Sequence, residues 1–311
     1  MTIEFEGPEK KLEIILTQPD PGLRSNADGR WGSVVHACGA EIVSARSTPE
    51  MDAYLLSESS LFVWADRILM ITCGKTTLVQ AVPKIIEIAG LENIAFFFYE
   101  RKNLMYPQQQ LSDFESDVKG LSAYFDGKSY RLGPANHDHV HIFYASMAEH
   151  AVEEDHTIEI LMHDLHPEVI AAFIPRQEDT VGELEARTGI AGLYPDMEND
   201  SFQFQPYGYS MNKIAGSQYV TIHVTPEESG SYASFETNVG GGDFATIVSR
   251  ITEIFRPSRF SLVITESTED RDAVDGSQMP RQFNGYHRSE KSIYEFDSGY
   301  AVSFYNYFTK S

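Results

Sequence analysis

The side chains best suited to proton transfer and nucleophilic attack are few and far apart in the chain. The two cysteines are Cys38 and Cys73, and a thiol can give and regain a proton near neutral pH. His223, in the segment YVTIHVT, could act as a general base. The polar turn SESS, residues 57–60, offers serine hydroxyls beside Glu58. No Ser-His-acid spacing specifies a hydrolase, and each group also has a structural interpretation.

A second candidate site is the acidic strand with Asp155, Thr157 and Glu159, which alternate with Ile158 and Ile160. The alternation alone favours a strand whose polar face meets solvent. The alternative buries the two carboxylates, which would then repel one another unless a cation or a proton compensates.

Two further patterns resemble ligand sites, but their spacing does not support one. His137, His139 and His141 would share one face of a strand, yet no acid is placed to orient them, so a half-exposed strand is favoured and no metal is expected. Gly74 precedes a predicted helix as in a phosphate-binding loop, but Leu69 stands where that motif needs its first glycine.

The overall composition excludes several classes of protein. The 311 residues are 42% hydrophobic and 23% charged, which is typical of a globular protein. A formal net charge of −22 argues against a nucleic-acid partner and is compatible with a cationic ligand. No apolar run is long enough to span a membrane, and no secretory signal is visible at the amino terminus. Two cysteines form no disulfide framework, so we expect a reducing, cytoplasmic compartment.

Two stretches, 54–99 and 219–266, share a layout of strand, acidic turn, strand, helix and strand. In the first, LFVWADRILMIT is predicted to be one strand, and Pro83 and Gly90 are predicted to bend and end the helix. In the second, Asp243 is a candidate N-cap for a helix with Ile247, Ile251 and Ile254 on one face. The repeat predicts an α+β fold of two mainly antiparallel sheets with helices on one face of each.

Several segments together resemble one family, the eukaryotic-type, pyruvoyl-dependent S-adenosylmethionine decarboxylases. They occur in the family's order and span nearly the whole chain: FEGPEKKLE (5–13), YLLSESSLFV (54–63), ITCGKTTL (71–78), FFYERKNLM (97–105), TIEILMHDL (157–165), PYGYSMN (206–212), TIHVTPE (221–227) and SFETN (234–238). The resemblance implies a four-layer αββα sandwich and one domain over residues 1–311.

The resemblance also implies self-cleavage at Glu58-Ser59, giving a β chain of residues 1–58 and an α chain of residues 59–311. Ser59 would become a covalent pyruvoyl group, the cofactor that forms a Schiff base with the substrate amine. Ser210 and His223 are implied to take part in processing, and Cys73 in protonating the product. The implied activity, decarboxylation of S-adenosylmethionine, would supply the aminopropyl donor for spermidine and spermine synthesis.

Binding residues carry over by the same resemblance. Phe5 and Phe204 would stack on the adenine, Glu227 would bind the ribose hydroxyls, and the remaining contacts near the active site would come from Leu56, Glu58, Glu6 and Glu9.

The acidic strand gains a second meaning from the resemblance. Asp155, Thr157 and Glu159, with Glu236, match a buried site for putrescine, an activator in animal and fungal members. The residues implied to surround it are Glu13, Phe98, Arg101, Tyr286 and Tyr300. One departure is Ile71, which stands where animal members carry a lysine.

Alternative functions follow from the same residues. The scaffold could use the same chemistry on another amino acid, such as ornithine or arginine, although Phe5, Phe204 and Glu227 indicate a nucleoside. A non-catalytic regulatory paralogue would be expected to have lost Ser59, His223 or Cys73, and all three are present. Family members occur as monomers and as homodimers of cleaved αβ units, and the sequence leaves both open.

Overall fold

The computed structural model describes residues 8–104, 107–148, 155–174, 180–227, 230–240, 243–267 and 276–309. These residues form two compact units. The amino-terminal unit holds residues 8–131 and 139–148, and the carboxy-terminal unit holds residues 132–138 and 155–309 as far as they are described.

The amino-terminal unit is built on an eight-stranded sheet, counted over the described residues, with strand order β2-β3-β4-β5-β1-β6-β8-β7. Its strands are β1 (Lys10–Leu16), β2 (Ile42–Ser47), β3 (Met51–Leu56), β4 (Ser59–Trp64), β5 (Arg67–Thr72), β6 (Ile94–Lys102), β7 (Lys128–Leu132) and β8 (Val140–Ser146). Its helices are α1 (Arg30–Ala37), α2 (Val82–Ala89) and α3 (Phe114–Leu121).

The carboxy-terminal unit is built on a nine-stranded sheet, again over the described residues, with strand order β10-β11-β12-β13-β9-β14-β17-β16-β15. Its strands are β9 (His156–Leu165), β10 (Glu198–Gln203), β11 (Tyr209–Ala215), β12 (Gln218–Thr225), β13 (Tyr232–Thr237), β14 (Pro257–Ser267), β15 (Gln282–Phe283), β16 (Tyr286–Glu295) and β17 (Tyr300–Thr309). Its helices are α4 (Pro167–Phe173), α5 (Val181–Thr188) and α6 (Phe244–Phe255).

One face of each sheet forms an apolar core with the helices. In the amino-terminal unit Leu12 and Ile14 of β1 belong to the same buried cluster as Trp31 of α1 and Ile85 of α2. In the carboxy-terminal unit the corresponding cluster includes Ile160 of β9 and Ile251 of α6. Removal of this apolar surface from water is the main stabilising contribution to each unit.

The two sheets share one topology, as the repeat predicts. In each, the first strand, β1 or β9, lies between the end of a four-strand meander and the strand that follows the helix, β6 or β14. The predicted α+β class with two antiparallel sheets is therefore confirmed.

The single strand predicted over residues 61–72 was wrong. It is a hairpin of β4 and β5 in which Val63 pairs with Ile68 around Ala65 and Asp66. The backbone carbonyls of Ala65 and Asp66 accept hydrogen bonds from Asp20 and Leu16, which fixes the turn. Polar Asp66 inside an apolar run was the signal for it. Because this segment forms two strands, the turn at residues 57–58, between β3 and β4, corresponds in the repeat to the turn between β11 and β12.

The helix predictions hold in part. Asp243 caps α6 by accepting a hydrogen bond from the Ala245 N–H at 3.0 Å, and Ile251 is buried, although Ile247 and Ile254 are only partly so. Gly90 ends α2 with φ 78°, a conformation that glycine adopts without strain. Pro83 does not bend a long helix. It stands in the first turn of α2, where its missing N–H costs nothing, and residues 78–81 form a separate 3₁₀ turn.

Within the described residues no helix is long and apolar enough to cross a membrane.

A buried polar group interrupts the apolar core of the amino-terminal unit. The Tyr99 hydroxyl donates to Asp117 Oδ2 at 2.6 Å, and Arg101 Nη1 donates to the same oxygen. The Arg101 guanidinium also donates to the Ser112 hydroxyl at 3.0 Å and to the Ser112 carbonyl at 2.5 Å. Since Arg101 and Asp117 are both almost fully buried, each depends on the other for its charge to be tolerated.

We expect Arg101→Met to lower the free energy of unfolding by about 3–5 kcal/mol, because it leaves the Asp117 carboxylate buried without its cation. Urea denaturation measures this change. The matched control is Arg256→Met, which removes an exposed pair with Glu168 and is expected to unfold close to the wild-type midpoint. Equal midpoints for the two variants would contradict the structural role of Arg101.

Candidate active site

Ser59 occupies the first position of β4, directly after the turn that joins β3 to β4. Its Cα partner across the hairpin is Leu56. The residue is 1% exposed, and its hydroxyl oxygen makes no hydrogen bond to any described residue. Its φ of 137° lies in a region that only glycine adopts without strain. A buried hydroxyl that has no hydrogen-bond partner among the described residues and stands on a strained backbone is a candidate for a role in chemistry.

The carbonyl immediately before Ser59 is held by Cys73. The Cys73 N–H donates to the Glu58 carbonyl oxygen at 2.9 Å, and the Cys73 thiol donates to the same oxygen at 3.3 Å. The pairing of β4 with β5 brings them together, because Ser59 lies opposite Thr72. Two donors on one carbonyl oxygen polarise the carbon for attack and stabilise the negative charge that attack would create.

Burial raises the pKa of two acidic groups beside this carbonyl. It raises the pKa of the Cys73 thiol well above its ordinary value; the charges of Glu58 and Glu9 raise it further, while Lys10 opposes them. Burial also raises the pKa of the Glu58 carboxyl to about 7, again against the pull of Lys10. Cys73 is therefore a neutral proton donor.

The turn that carries Cys73 is held from both sides. Buried Lys10 donates from Nζ to the Gly74 carbonyl at 2.9 Å and to Gln110 Oε1 at 3.2 Å. The Thr76 hydroxyl lies 2.9 Å from the Cys73 carbonyl and from the Thr72 hydroxyl. These contacts give residues 74–76 a structural role.

Lys10 was missed by sequence reasoning. The available signal was that Lys10 alternates along KKLEIIL with the same spacing as Leu12 and Ile14, and so lies on the face of β1 that is buried against the helices. A lysine at a core position must find acceptors, and Lys10 finds the turn next to Cys73.

In the carboxy-terminal unit, His223 sits in a buried hydrogen-bonded chain. Its Nδ1 is 2.9 Å from the hydroxyl of Ser210, its partner across β11 and β12, and its Nε2 is 2.8 Å from the Thr221 hydroxyl. Thr221 in turn lies 2.9 Å from Asn212 Oδ1. Burial lowers the pKa of His223 from 6.5 to about 3, so the imidazole is neutral and can accept a proton.

Thr157 and Glu159 of the acidic strand are buried, so the solvent-facing interpretation of their alternation was wrong, whereas Asp155 precedes β9 and is half-buried. Glu159 is 2% exposed, and it pairs across the strands with Glu236, which is 1% exposed. The Tyr219 hydroxyl donates to Glu236 Oε1 at 2.5 Å. Two buried carboxylates side by side raise the free energy unless protons or cations neutralise them. The Tyr300 hydroxyl donates to Asp155 Oδ2 at 3.0 Å.

Comparison with known proteins identifies the class to which these features belong. The family model described as adenosylmethionine decarboxylase matches residues 2–308. The chain belongs to the adenosylmethionine decarboxylase family. The S-adenosylmethionine decarboxylase proenzyme of Dictyostelium discoideum is 34% identical, over 97% of this chain and 85% of that relative. The proenzyme of Xenopus laevis is 33% identical, over 94% of this chain and 92% of that relative. The proenzyme of Spinacia oleracea is 34% identical, over 99% of this chain and 91% of that relative.

A solved structure of the family agrees with the fold. The crystal structure of the Trypanosoma brucei AdoMetDC-delta26 monomer superposes with a TM-score of 0.66 at 27% identity. The match covers 81% of this chain and 99% of the Trypanosoma brucei chain.

Two residues that the family resemblance placed around the acidic site lie elsewhere. Arg101 faces the helices and binds Asp117, whereas Glu13 and Phe98 lie on the opposite face of the same sheet, because side chains alternate along β1 and β6. Tyr286 belongs to the apolar cluster under the helices, where its hydroxyl donates to the Pro257 carbonyl at 2.7 Å. Glu159, on β9, points to the other face of that sheet.

The residues that the family resemblance assigns to the substrate are only partly described. Phe5 and Glu6 lie outside the described residues. Leu56 is fully buried in the core, so only its backbone can reach a ligand. Phe204 is half-buried with its ring 4.8 Å from that of Phe202, and Glu227 is half-buried.

The three alternating histidines do not share a face of one strand. β8 begins at Val140, after His137, whose side chain is exposed. His139 and His141 make an edge-on ring contact at 4.9 Å, and His141 stacks on Phe114 of α3 at 4.7 Å. Burial, with the nearby His139, lowers the pKa of His141 to about 4, which fits a neutral packed ring.

The buried imidazole of His223 predicts a specific pH dependence of stability. Below pH 6.5 the unfolded chain binds a proton that folded His223 refuses until about pH 3, so stability falls as the pH falls through this window. Between pH 7 and pH 5 we expect the free energy of unfolding of His223→Asn to fall by about 2 kcal/mol less than that of the parent protein, which keeps His223. Urea titrations measure this difference in a Ser59→Ala background, which would exclude the predicted cleavage at Glu58-Ser59.

The control for this measurement is exposed His36→Asn, which removes an imidazole without touching the buried chain. Parallel stability curves for the parent and His223→Asn would show that His223 titrates normally in the folded protein.

Proposed function

We propose that the protein decarboxylates S-adenosylmethionine by means of a pyruvoyl group that it makes from Ser59. The observation that carries the proposal is the arrangement at one peptide bond. The buried Ser59 hydroxyl, which has no hydrogen-bond partner within the part of the chain that the structure describes, follows a carbonyl that already accepts two hydrogen bonds from Cys73. Family membership agrees with this chemistry.

Self-processing is a rearrangement that needs only water. Ser59 Oγ bonds to the Glu58 carbonyl carbon, and the bond from that carbon to the Ser59 nitrogen breaks, leaving an ester and a free amine. Loss of the Ser59 α-proton then breaks the bond from Ser59 Cβ to Oγ and expels the main-chain carboxylate of Glu58, the new carboxy terminus. The resulting dehydroalanine takes up water and releases ammonia, which leaves a ketone at the new terminus.

The chain offers residues for each proton movement. The Cys73 N–H and thiol stabilise the oxyanion of the first step. The role of base for the α-proton falls to His223, and its neutral, buried imidazole supports that assignment. The Ser210 hydroxyl, hydrogen-bonded to His223, is the further candidate donor during processing.

In turnover, the pyruvoyl carbonyl supplies the electron sink for loss of CO₂. Cys73 would then deliver a proton to the product carbon, a role that suits a thiol held neutral by burial. Substrate contacts from Phe5, Phe204 and Glu227 follow the family resemblance. The product would serve as an aminopropyl donor in polyamine synthesis, and a diamine such as putrescine would be the activator that the buried Glu159 and Glu236 favour.

Intact-mass analysis tests the proposal directly. Wild-type protein is expected as two chains, residues 1–58 and a blocked chain beginning at position 59, whereas Ser59→Ala is expected as one chain that releases no CO₂ from labelled substrate. The matched control is Ser60→Ala, a fully buried neighbour that should still cleave. Uncleaved wild-type protein, or CO₂ release by Ser59→Ala, would overturn the cofactor assignment.

Cys73→Ala separates processing from turnover. The variant keeps the backbone N–H on the Glu58 carbonyl and loses only the thiol, so cleavage should proceed more slowly but to completion. We expect kcat to fall about 100-fold, in the range for loss of a general acid, with KM little changed. Cys38→Ala, at the fully buried second cysteine, is the control. Normal kcat in Cys73→Ala would exclude the thiol from the chemistry.

A further inference from the structure

The carboxy-terminal unit contains a small, mainly apolar cavity beside helix α6. It has a volume of about 240 Å³, and its apolar lining is Leu193, Tyr194, Phe235, Val239, Ile247 and Ile251. An apolar cavity of roughly 150 Å³ inside a protein is enough to bind benzene. The cavity beside α6 therefore has room for one aromatic ring with a short side chain.

This cavity and the buried polar groups of the same sheet lie on opposite faces. Phe235 of β13 lines the cavity and belongs to the apolar cluster under the helices, as does Ile222 of β12. Glu236 and His223 follow these two residues along their strands and so point the other way, because side chains alternate along a strand. The cavity is therefore distinct from the acidic site and from the hydrogen-bonded chain of His223.

Hydrogen bonds fix the wall of the cavity that precedes β10. Arg250 of α6 donates to the Gly192 carbonyl, and Lys213 of β11 donates from Nζ to the Leu193 carbonyl at 2.7 Å. Tyr194 comes next, with φ 44°, a left-handed conformation that is strained for a residue other than glycine. A wall that is already ordered is typical of small-molecule sites, because little conformational entropy is lost when the ligand binds.

Arg250 gives the cavity its charge. Among the described residues that line the cavity, Arg250 alone carries a charged side chain, and it lies at the exposed edge. Burial raises the pKa of the Tyr194 hydroxyl, and the charge of Arg250 opposes that rise. A guanidinium has five N–H donors in one plane, so the bond to Gly192 leaves donors for a second acceptor. A carboxylate is the acceptor that fits this planar geometry best.

We propose that this cavity binds a small aryl carboxylate, whose ring fills the apolar interior and whose carboxylate pairs with Arg250. The volume fits one ring, and Tyr194 and Phe235 offer aromatic contacts. The charge at the edge is positive, although the whole chain carries a formal net charge of −22. An amine of the same shape would be repelled there. The inference goes beyond the proposed decarboxylase function and does not depend on it.

The test measures the dissociation constants of three probes for purified wild-type protein by ligand-observed saturation-transfer NMR. The probes are phenylacetate, its neutral isostere phenylacetamide, and acetate. We expect phenylacetate to bind with a Kd of about 1 mM, which is ordinary for a ligand of this size. Phenylacetamide should bind about fivefold more weakly, because it lacks the charge that pairs with an exposed arginine. Acetate should show no saturable binding, because it lacks the ring.

Two variants assign the probes to this cavity. Ile247→Phe fills the interior with a ring of the protein itself, so both aryl probes should bind about tenfold more weakly or not at all. Arg250→Met should weaken binding of phenylacetate about fivefold and leave that of phenylacetamide unchanged, a difference that a general disturbance of the fold would not produce. The matched control is Arg256→Met, which removes an arginine that does not line this cavity and should bind both probes as wild type does.

The inference is overturned if wild-type protein binds neither aryl probe, or if phenylacetamide binds as tightly as phenylacetate. It is also overturned if Ile247→Phe, folded by urea denaturation, binds both probes as wild type does, because the probes then occupy another site. Val239→Phe fills the cavity from its other side and replaces Ile247→Phe if that variant does not fold. Wild-type protein that neither cleaves nor releases CO₂ would refute the proposed function and leave these binding results standing.

Discussion

The hydrogen bonds from Cys73 to the Glu58 carbonyl oxygen depend on the register of β4 and β5, and the candidate chemistry depends on those bonds. Ser59 pairs with Thr72, so the next residue on β5 meets the peptide group before Ser59. Lys10 and Thr76 then hold the following turn so that the thiol stays aimed at the same oxygen. A slip of one residue would turn each of these side chains to the other face.

Burial sets the protonation of the functional groups in both units. It raises the pKa of Cys73 and lowers that of His223, so the neutral thiol and the neutral imidazole are favoured near pH 7, and it raises the pKa of the Glu58 carboxyl to about 7. Neutral thiols and carboxyls can donate protons, and a neutral imidazole can accept one. Removal from water thus makes proton donors and a proton acceptor of side chains that would have ordinary pKa values in water.

The two sheets combine an apolar face under the helices with a second buried face that is rich in polar groups. In KKLEIIL and in TIEIL the polar residues alternate with aliphatic ones, a pattern that usually indicates a half-exposed strand. Here Lys11 and Glu159 are buried all the same. The consequence is a set of buried charges that must balance one another.

The amino-acid sequence by itself determined the α+β class, the repeated order of elements and helix α6 with its Asp243 cap, because these follow from local periodicity and capping. Its motifs were also enough to predict the family. Tertiary structure decided that residues 61–72 form a hairpin, that Arg101 and Tyr286 face the helices, and that Lys10 braces the turn at Cys73. The reason is that a period of two shows which residues share a face of a strand. Which face is covered, and which residue lies opposite on the next strand, depends on pairings between segments distant in the chain.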